Sequence, residues 1–148
     1  MFDIMHRLGV QASPRAVYDS LADCQRLSDW WTSDTTGDAE KGGVIHFRFG
    51  ERGGFKMKVL EATPEKRVVW EVIEGPPEWV GTKVIWDLSP EGKGTTIRFK
   101  HAGWREQVDF MGHCSMKWGT FLMSLKQLHE AGKGAAFPND VLISIDWD

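Results

Sequence analysis

The fold is decided by residues 106–134, which read EQVDFMGHCSMKWGTFLMSLKQLHEAGKG. Apolar residues recur in this segment at three- and four-residue spacing, which places them along one side of an α-helix. The residues of this stripe are Phe110, Cys114, Trp118, Phe121, Leu125 and Leu128. Gly132 and Gly134 then end the pattern, as glycines commonly do after a helix. The segment therefore predicts one amphipathic helix of about 26 residues, about 39 Å long.

Upstream of this helix the apolar period changes to two, which is typical of half-buried β-strands. The first such segment spans residues 2–10, and five more follow at about 44–50, 55–60, 67–74, 79–88 and 95–101. Between the first two strands, Ser13-Pro14 predicts the N-cap and first turn of one or two short helices that end near Trp30. We expect the polar segment 32–43 to be a loop. The connections are too short for crossover helices, so the strands should form an antiparallel meander.

These elements predict an α+β fold in which a six-stranded, curved antiparallel sheet surrounds the long C-terminal helix. A helix is about 10–12 Å wide with its side chains, whereas six strands at about 4.8 Å spacing span about 24 Å. The sheet must therefore curl around the helix, and side chains need not fill the concave space. Two alternatives stay open. The concave space is either an open cavity or is filled completely by the Phe and Trp side chains, of which the chain has sixteen.

The candidate ligand-binding residues share the inward phases of the strands, the apolar side of the helix, or the entrance beside it. They are Trp31, Phe47, Phe49, Met57, Trp70, Trp86, Phe99, His101, Trp118 and Phe121. Large aromatic side chains commonly line sites for apolar molecules. Trp30 and Trp31 are adjacent, so one ring could enter the core while the other stays near the entrance. We therefore predict a site for a hydrophobic or aromatic small molecule.

Histidines are the remaining candidates for chemistry. His101 ends an inward-facing row, which we expect at the mouth of the cavity, and His6 shares the inward phase of the first strand. Pairing of the first and last strands could bring these two imidazoles within reach of each other, with Thr82 as a further polar group. Each histidine could equally well satisfy a backbone group. No HxH, HExxH or paired Cys/His spacing occurs, so we expect no metal, no cofactor and no assigned catalytic residue.

Several segments together resemble the START-like helix-grip (SRPBCC) superfamily, in the branch related to the Hsp90 ATPase activator. They include residues 12–14, 17–18, 27–32, 66–70, 78–82, 99–104, 118–126 and 132–134, in the family's order. The resemblance implies a helix-grip fold over residues 1–134. It also implies three kinds of function, namely a carrier of hydrophobic ligands, a polyketide cyclase or aromatase-like enzyme, and a protein-interaction module that contacts a chaperone.

Composition excludes some other partners. The formal net charge is −3, with both signs interspersed, which argues against nucleic-acid binding. No apolar run approaches the ~18 residues of a membrane-spanning helix, and the N-terminal residues do not resemble a signal peptide. We therefore expect a cytoplasmic protein with no membrane partner. Cys24 and Cys114 should then be reduced thiols.

The tail, residues 135–148, lies beyond the resemblance. Val141, Ile143, Ile145 and Trp147 share a period-2 phase. An apolar terminal segment of this kind either packs on its own domain or contacts a second subunit, and we favour a homodimer slightly over the first alternative.

Overall fold

The computed structural model describes residues 1–145. In chain order, the elements are β1 (Phe2–Val10), α1 (Pro14–Leu21), α2 (Cys24–Leu27), β2 (Asp34–Gly37), β3 (Val44–Arg48), a 3-10 turn (Gly50–Arg52), β4 (Gly54–Thr63), β5 (Arg67–Glu74), β6 (Lys83–Glu91), β7 (Gly94–Trp104) and α3 (Asp109–Ala131). The structure therefore agrees with the predicted α+β class and with a long helix after the last strand.

The strands form one curved antiparallel sheet in the order β1-β7-β6-β5-β4-β3-β2. The sheet has seven strands, so the prediction of six was wrong. The additional strand is β2, which lies in the segment predicted as a loop and pairs with β3. Its sequence, DTTG, carries no apolar alternation, because only Thr35 is buried and the strand lies at the edge of the sheet. A pattern search based on burial therefore cannot find it.

Helix α1 begins where the sequence predicts, whereas α2 ends at Leu27, three residues before the predicted end near Trp30. Ser13 caps α1, with its hydroxyl oxygen accepting a hydrogen bond from the Ala16 N–H at 3.1 Å. The long helix α3 spans 23 residues and ends at Gly132, whose φ of 85° is the left-handed conformation that glycine adopts most readily. The observed helix begins at Asp109, three residues later than predicted.

The core lies between the concave face of the sheet and α3 with α1. The predicted inward phases are confirmed, because Ile45, Phe47, Met57, Val59, Trp70, Val72, Val84, Trp86, Ile97 and Phe99 are all buried. Phe49 and Phe55 share the phase but are only partly buried. They lie where β3 ends and β4 begins, at an open end of the fold.

Candidate ligand-binding cleft

The centre of the fold is filled by aromatic rings. Trp31 lies in the middle, with ring centroids 4.2 Å from Phe47, 4.8 Å from Trp118 and 6.1 Å from Trp70. Both Trp30 and Trp31 are buried, so neither ring stands in bulk solvent. The interior is therefore filled at the centre of the sheet. The predicted ligand-binding residues that pack there are part of the hydrophobic core.

A cavity of about 750 Å³ opens at one end of the fold, between the start of β4, the end of β5, α3 and the segment after α3. Its aromatic lining consists of Trp31, Phe49, Phe55, Trp79, Phe110, Trp118, Phe121 and Phe137. Of the predicted site residues, Trp31, Phe49, Trp118 and Phe121 line this cleft. The others, Phe47, Met57, Trp70, Trp86, Phe99 and His101, lie outside its lining.

The aromatic rings on one side of the cleft are mutually stacked. Phe55 and Trp79 lie 4.2 Å apart at 15°, and Trp79 and Trp118 lie 5.9 Å apart at 16°.

Four aromatic residues of the lining were not predicted. The sequence places Phe55 in the inward phase of its strand and Phe110 in the helix stripe without identifying either as a ligand contact, and it predicts a strand at Trp79, which lies in the turn before β6. Phe137 belongs to the tail. The shared signal that could have identified them is their position at the ends of elements, since residues next to turns reach an open end of a sheet.

The polar lining residues are Arg52, Glu74, His113, Cys114, Lys117 and Asp140. Lys117 Nζ donates to Asp140 Oδ2 at 2.6 Å, and the Asp140 side chain is only 1% exposed. Cys114 accepts a hydrogen bond from the Trp79 indole N–H at 3.3 Å, and burial raises the pKa of its thiol to about 12. A thiol with this pKa stays protonated near neutral pH, so Cys114 is suited to packing and not to nucleophilic attack.

His101 lies deep in the core and not at the cavity mouth, so that part of the prediction was wrong. It is 0% exposed because the rings of Trp79, Trp104 and Trp118 pack around its imidazole, with centroids 4.6, 5.1 and 5.9 Å away. The Trp118 indole N–H donates to His101 Nδ1 at 3.1 Å, which leaves Nε2 to carry the proton and donate to Thr82 Oγ1 at 2.7 Å. The Thr82 hydroxyl in turn donates to the Trp79 carbonyl. Burial lowers the pKa of His101 to about 3.

His6 does not join this network. In the β1–β7 pairing, Ile4 lies opposite His101, and His6 lies opposite Phe99. The His6 imidazole instead contacts α3, with Nε2 3.2 Å from the Ser115 carbonyl oxygen. The expected pair of imidazoles at a cavity mouth is therefore not formed, and His101 and Thr82 do not line the cleft.

Neither a metal centre nor a membrane span is found in the described part of the chain. No group of three or more His, Cys, Asp or Glu side chains within residues 1–145 is arranged to hold a metal ion. Over the same range, no helix combines the length and the apolar character that crossing a bilayer requires.

The fold and its sequence match a known family over most of the chain. The family model described as "Activator of Hsp90 ATPase homolog 1-like protein" matches residues 11–130. The chain belongs to this Hsp90 activator-like family. No curated protein matches it in sequence. Among solved structures, this family member is 42% identical to the Aha1 dimer from Colwellia psychrerythraea, with a TM-score of 0.84 over 90% of this chain and 100% of that one.

More distant structures share the fold of this Hsp90 activator-like protein. CalU16 from Micromonospora echinospora is 20% identical, with a TM-score of 0.78 over 99% of this chain and 75% of that chain. A protein from Staphylococcus saprophyticus is 17% identical, with a TM-score of 0.77 over 91% and 97%. The helix-grip resemblance is thus confirmed for fold and family.

Proposed function

We propose that this chain binds a flat, apolar small molecule, aromatic in character, in the cleft between β4, β5 and α3. The observation that carries the proposal is the cavity of about 750 Å³ with its aromatic lining, which falls within the usual size of ligand sites. Aromatic rings of the lining can pack against a planar ligand, and Phe49 and Phe55 among them are only partly buried.

The test is a titration with the uncharged fluorescent probe N-phenyl-1-naphthylamine, whose emission rises in apolar surroundings. We expect saturable binding with one site per chain. Phe110→Glu places a charge in the cleft wall and should abolish binding, because a buried charge must be desolvated. The control is Ile73→Glu, at an apolar residue that is 43% exposed and lies outside the cleft lining. Equal binding by both variants would contradict the proposal.

We propose as a second candidate function that the chain contacts an Hsp90-type chaperone. The family match and the name of the Colwellia relative favour it. The measurement is the ATPase rate of purified Hsp90 with and without the full chain. A rate unchanged at saturating chain concentration would rule out activation, and Phe110→Glu would show whether the cleft takes part.

We also propose that the chain forms a homodimer, because the relative that is 42% identical is described as a dimer. Val141, Leu142 and Ile145 are 69%, 67% and 101% exposed, so they are available for a second copy. Val141→Ser, Leu142→Ser and Ile145→Ser combined should then lower the mass measured by light scattering to that of a monomer. A monomeric wild type at high concentration would contradict dimerisation, and a dimeric triple variant would place the interface elsewhere.

A further inference from the structure

A segment beyond the family match lies against the proposed cleft. It comprises residues 135–140, here called the strap, whereas the family model ends at residue 130. Two of its members, Phe137 and Asp140, belong to the cleft lining. We infer that the strap is a built part of the ligand site, in which Phe137 contacts the ligand and the Lys117–Asp140 pair holds the strap closed. This inference rests on the proposed function of the cleft.

Backbone hydrogen bonds fix the strap at both sides of the opening. The Ala135 N–H donates to Ser124 Oγ of α3 at 2.7 Å. The Phe137 N–H donates to the Trp31 carbonyl at 2.8 Å, and the Phe137 carbonyl accepts from the Ser33 N–H at 3.1 Å. The strap thus joins α3 to the segment that leads into β2, and its path across the open end is defined.

The Phe137 ring is an aromatic member of the cleft lining. Its centroid lies 5.3 Å from that of Phe49, at 62° in an edge-on arrangement. It also approaches Gly50, where an added Cβ would lie 3.6 Å from Phe137 Cζ. The ring therefore packs against the end of β3, and as part of the lining it presents an aromatic surface to whatever occupies the cleft.

The Lys117–Asp140 pair closes the far end of the strap. The two side chains are 16% and 1% exposed, and Lys117 Nζ also lies 5.4 Å from the Phe121 ring centroid. Asp140 Oδ1 is buried and has no hydrogen-bond partner among residues 1–145. A buried carboxylate in this setting depends on its partner, because removal of one member of a buried ion pair leaves an uncompensated charge.

Charges of the lining indicate which aromatic molecules fit. With the imidazole of His113 neutral, the charges of Arg52 and Lys117 are balanced by those of Glu74 and Asp140. The cleft therefore offers no net charge to an ionic ligand, and we assign it to uncharged aromatic molecules. The strap lies outside the residues that the family model matches, and it forms one wall of the cleft. It should therefore influence which uncharged aromatic molecules bind tightly.

The experiment measures the affinity and dissociation rate of N-phenyl-1-naphthylamine for the full chain. Phe137→Ala should raise the dissociation constant about tenfold, because one aromatic contact is lost. Phe2→Ala is the matched control, since Phe2 is partly exposed and lies outside the cleft lining, and it should bind as the wild type does. Phe137→Leu serves as a milder variant if the alanine variant does not fold.

The Lys117–Asp140 pair is tested by rescue. Asp140→Asn should raise the dissociation rate about tenfold, because the strap loses its charged anchor. The double variant Lys117→Met with Asp140→Met should restore slow dissociation, since an apolar pair can replace a buried ion pair. Recovery of slow dissociation supports closure by the pair, whereas a double variant that releases the probe as fast as Asp140→Asn overturns it.

The outcomes separate the two proposals. Unchanged probe affinity in both Phe137 variants, together with loss of binding in Phe110→Glu, would overturn the role of the strap and keep the cleft as the ligand site. Absence of probe binding to the wild type would overturn both.

Discussion

At the residue scale, His101 shows how a phase assignment can be correct while the inferred role is wrong. Alternation in β7 places its side chain inward, as observed. The sequence does not reveal that Trp118 and Thr82 contact it, because these residues lie 17 and 19 positions away, one in α3 and the other just before β6. The result is a neutral imidazole in β7 that is joined by hydrogen bonds to α3 and to the segment before β6.

The low pKa of His101 predicts a pH dependence of stability. The pKa of His101 is about 3 in the folded state, below the ordinary value of 6.5. Between these two pH values the imidazole is protonated in the unfolded chain and neutral in the folded chain. Stability is therefore fully present above pH 6.5 and falls by up to about 1.4 kcal/mol per pH unit as the pH decreases toward 3. Urea titrations between pH 7 and pH 4 should show a shallower slope for His101→Gln than for the wild type.

A control separates this effect from carboxylate titration. His46 is partly exposed on the other face of the sheet. His46→Gln should keep most of the wild-type slope, and an identical slope in His101→Gln and the wild type would contradict the assignment.

Buried indole groups give a second prediction at this scale. The Trp118 N–H is bonded to His101, whereas the Trp86 N–H is buried with no partner among the described residues. Trp118→Phe should therefore cost about 1–3 kcal/mol more than Trp86→Phe, because only the first leaves a buried acceptor unpaired. Chemical denaturation of the two variants provides the measurement, and equal losses would mean that the Trp118 bond contributes little.

At the element scale, α3 is the part of the fold that the sequence predicts best. Its stripe from Phe110 to Leu128 repeats over about five turns, so the period is clear, and the end of the helix at Gly132 is marked by a residue that suits the left-handed conformation. The strand β2 is the opposite case, because it is short and polar, and it is held by backbone pairing with β3 and by the Arg48 side chain, which donates to Asp34 and Thr36. The formation of β2 depends on its pairing with β3, and a pattern within four residues cannot predict such pairing.

The helix also contains two glycines that nothing nearby requires. An added Cβ at Gly112 or Gly119 would have no atom within 4 Å, apart from the helix's own backbone. Gly112→Ala and Gly119→Ala should each raise the free energy of unfolding by about 0.5–1 kcal/mol, the usual difference in helix propensity. Gly134→Ala is the contrast, because its Cβ would lie 2.7 Å from the Asp29 carbonyl oxygen and should destabilise the fold. Thermal unfolding of the three variants tests the comparison.

At the scale of the whole molecule, the sequence predicts the layers but not the position of the cleft. The sequence leaves open whether the interior is filled or hollow. In the structure the centre is packed and a cleft opens at one end. Which rings line the opening depends on where strands stop and turns begin. Trp79 and Phe137 illustrate this point, since both enter the cleft from segments outside the regular strands.

The contribution of the strap to global stability gives a prediction at the same scale. Asp140→Asn should lower the free energy of unfolding by about 2–3 kcal/mol, somewhat below the loss for a fully buried pair, because Lys117 retains some contact with water. Its neighbour Asn139 is exposed and lies outside the cleft lining, so Asn139→Ser should change the free energy by less than about 0.5 kcal/mol. Denaturant midpoints of the two neighbouring variants give the answer directly, and similar midpoints would show that the pair is not stabilising.

The order in which the lining residues occur along the chain has a consequence for biosynthesis. Phe137 and Asp140 follow every other lining residue, and they close a cleft whose remaining walls begin with Trp31. During translation these two residues are made last among the lining residues, only a few positions after the end of α3. A nascent chain that lacks the strap therefore carries only part of the cleft. The complete lining exists only once synthesis has passed residue 140, so it is among the last features of the described chain to form.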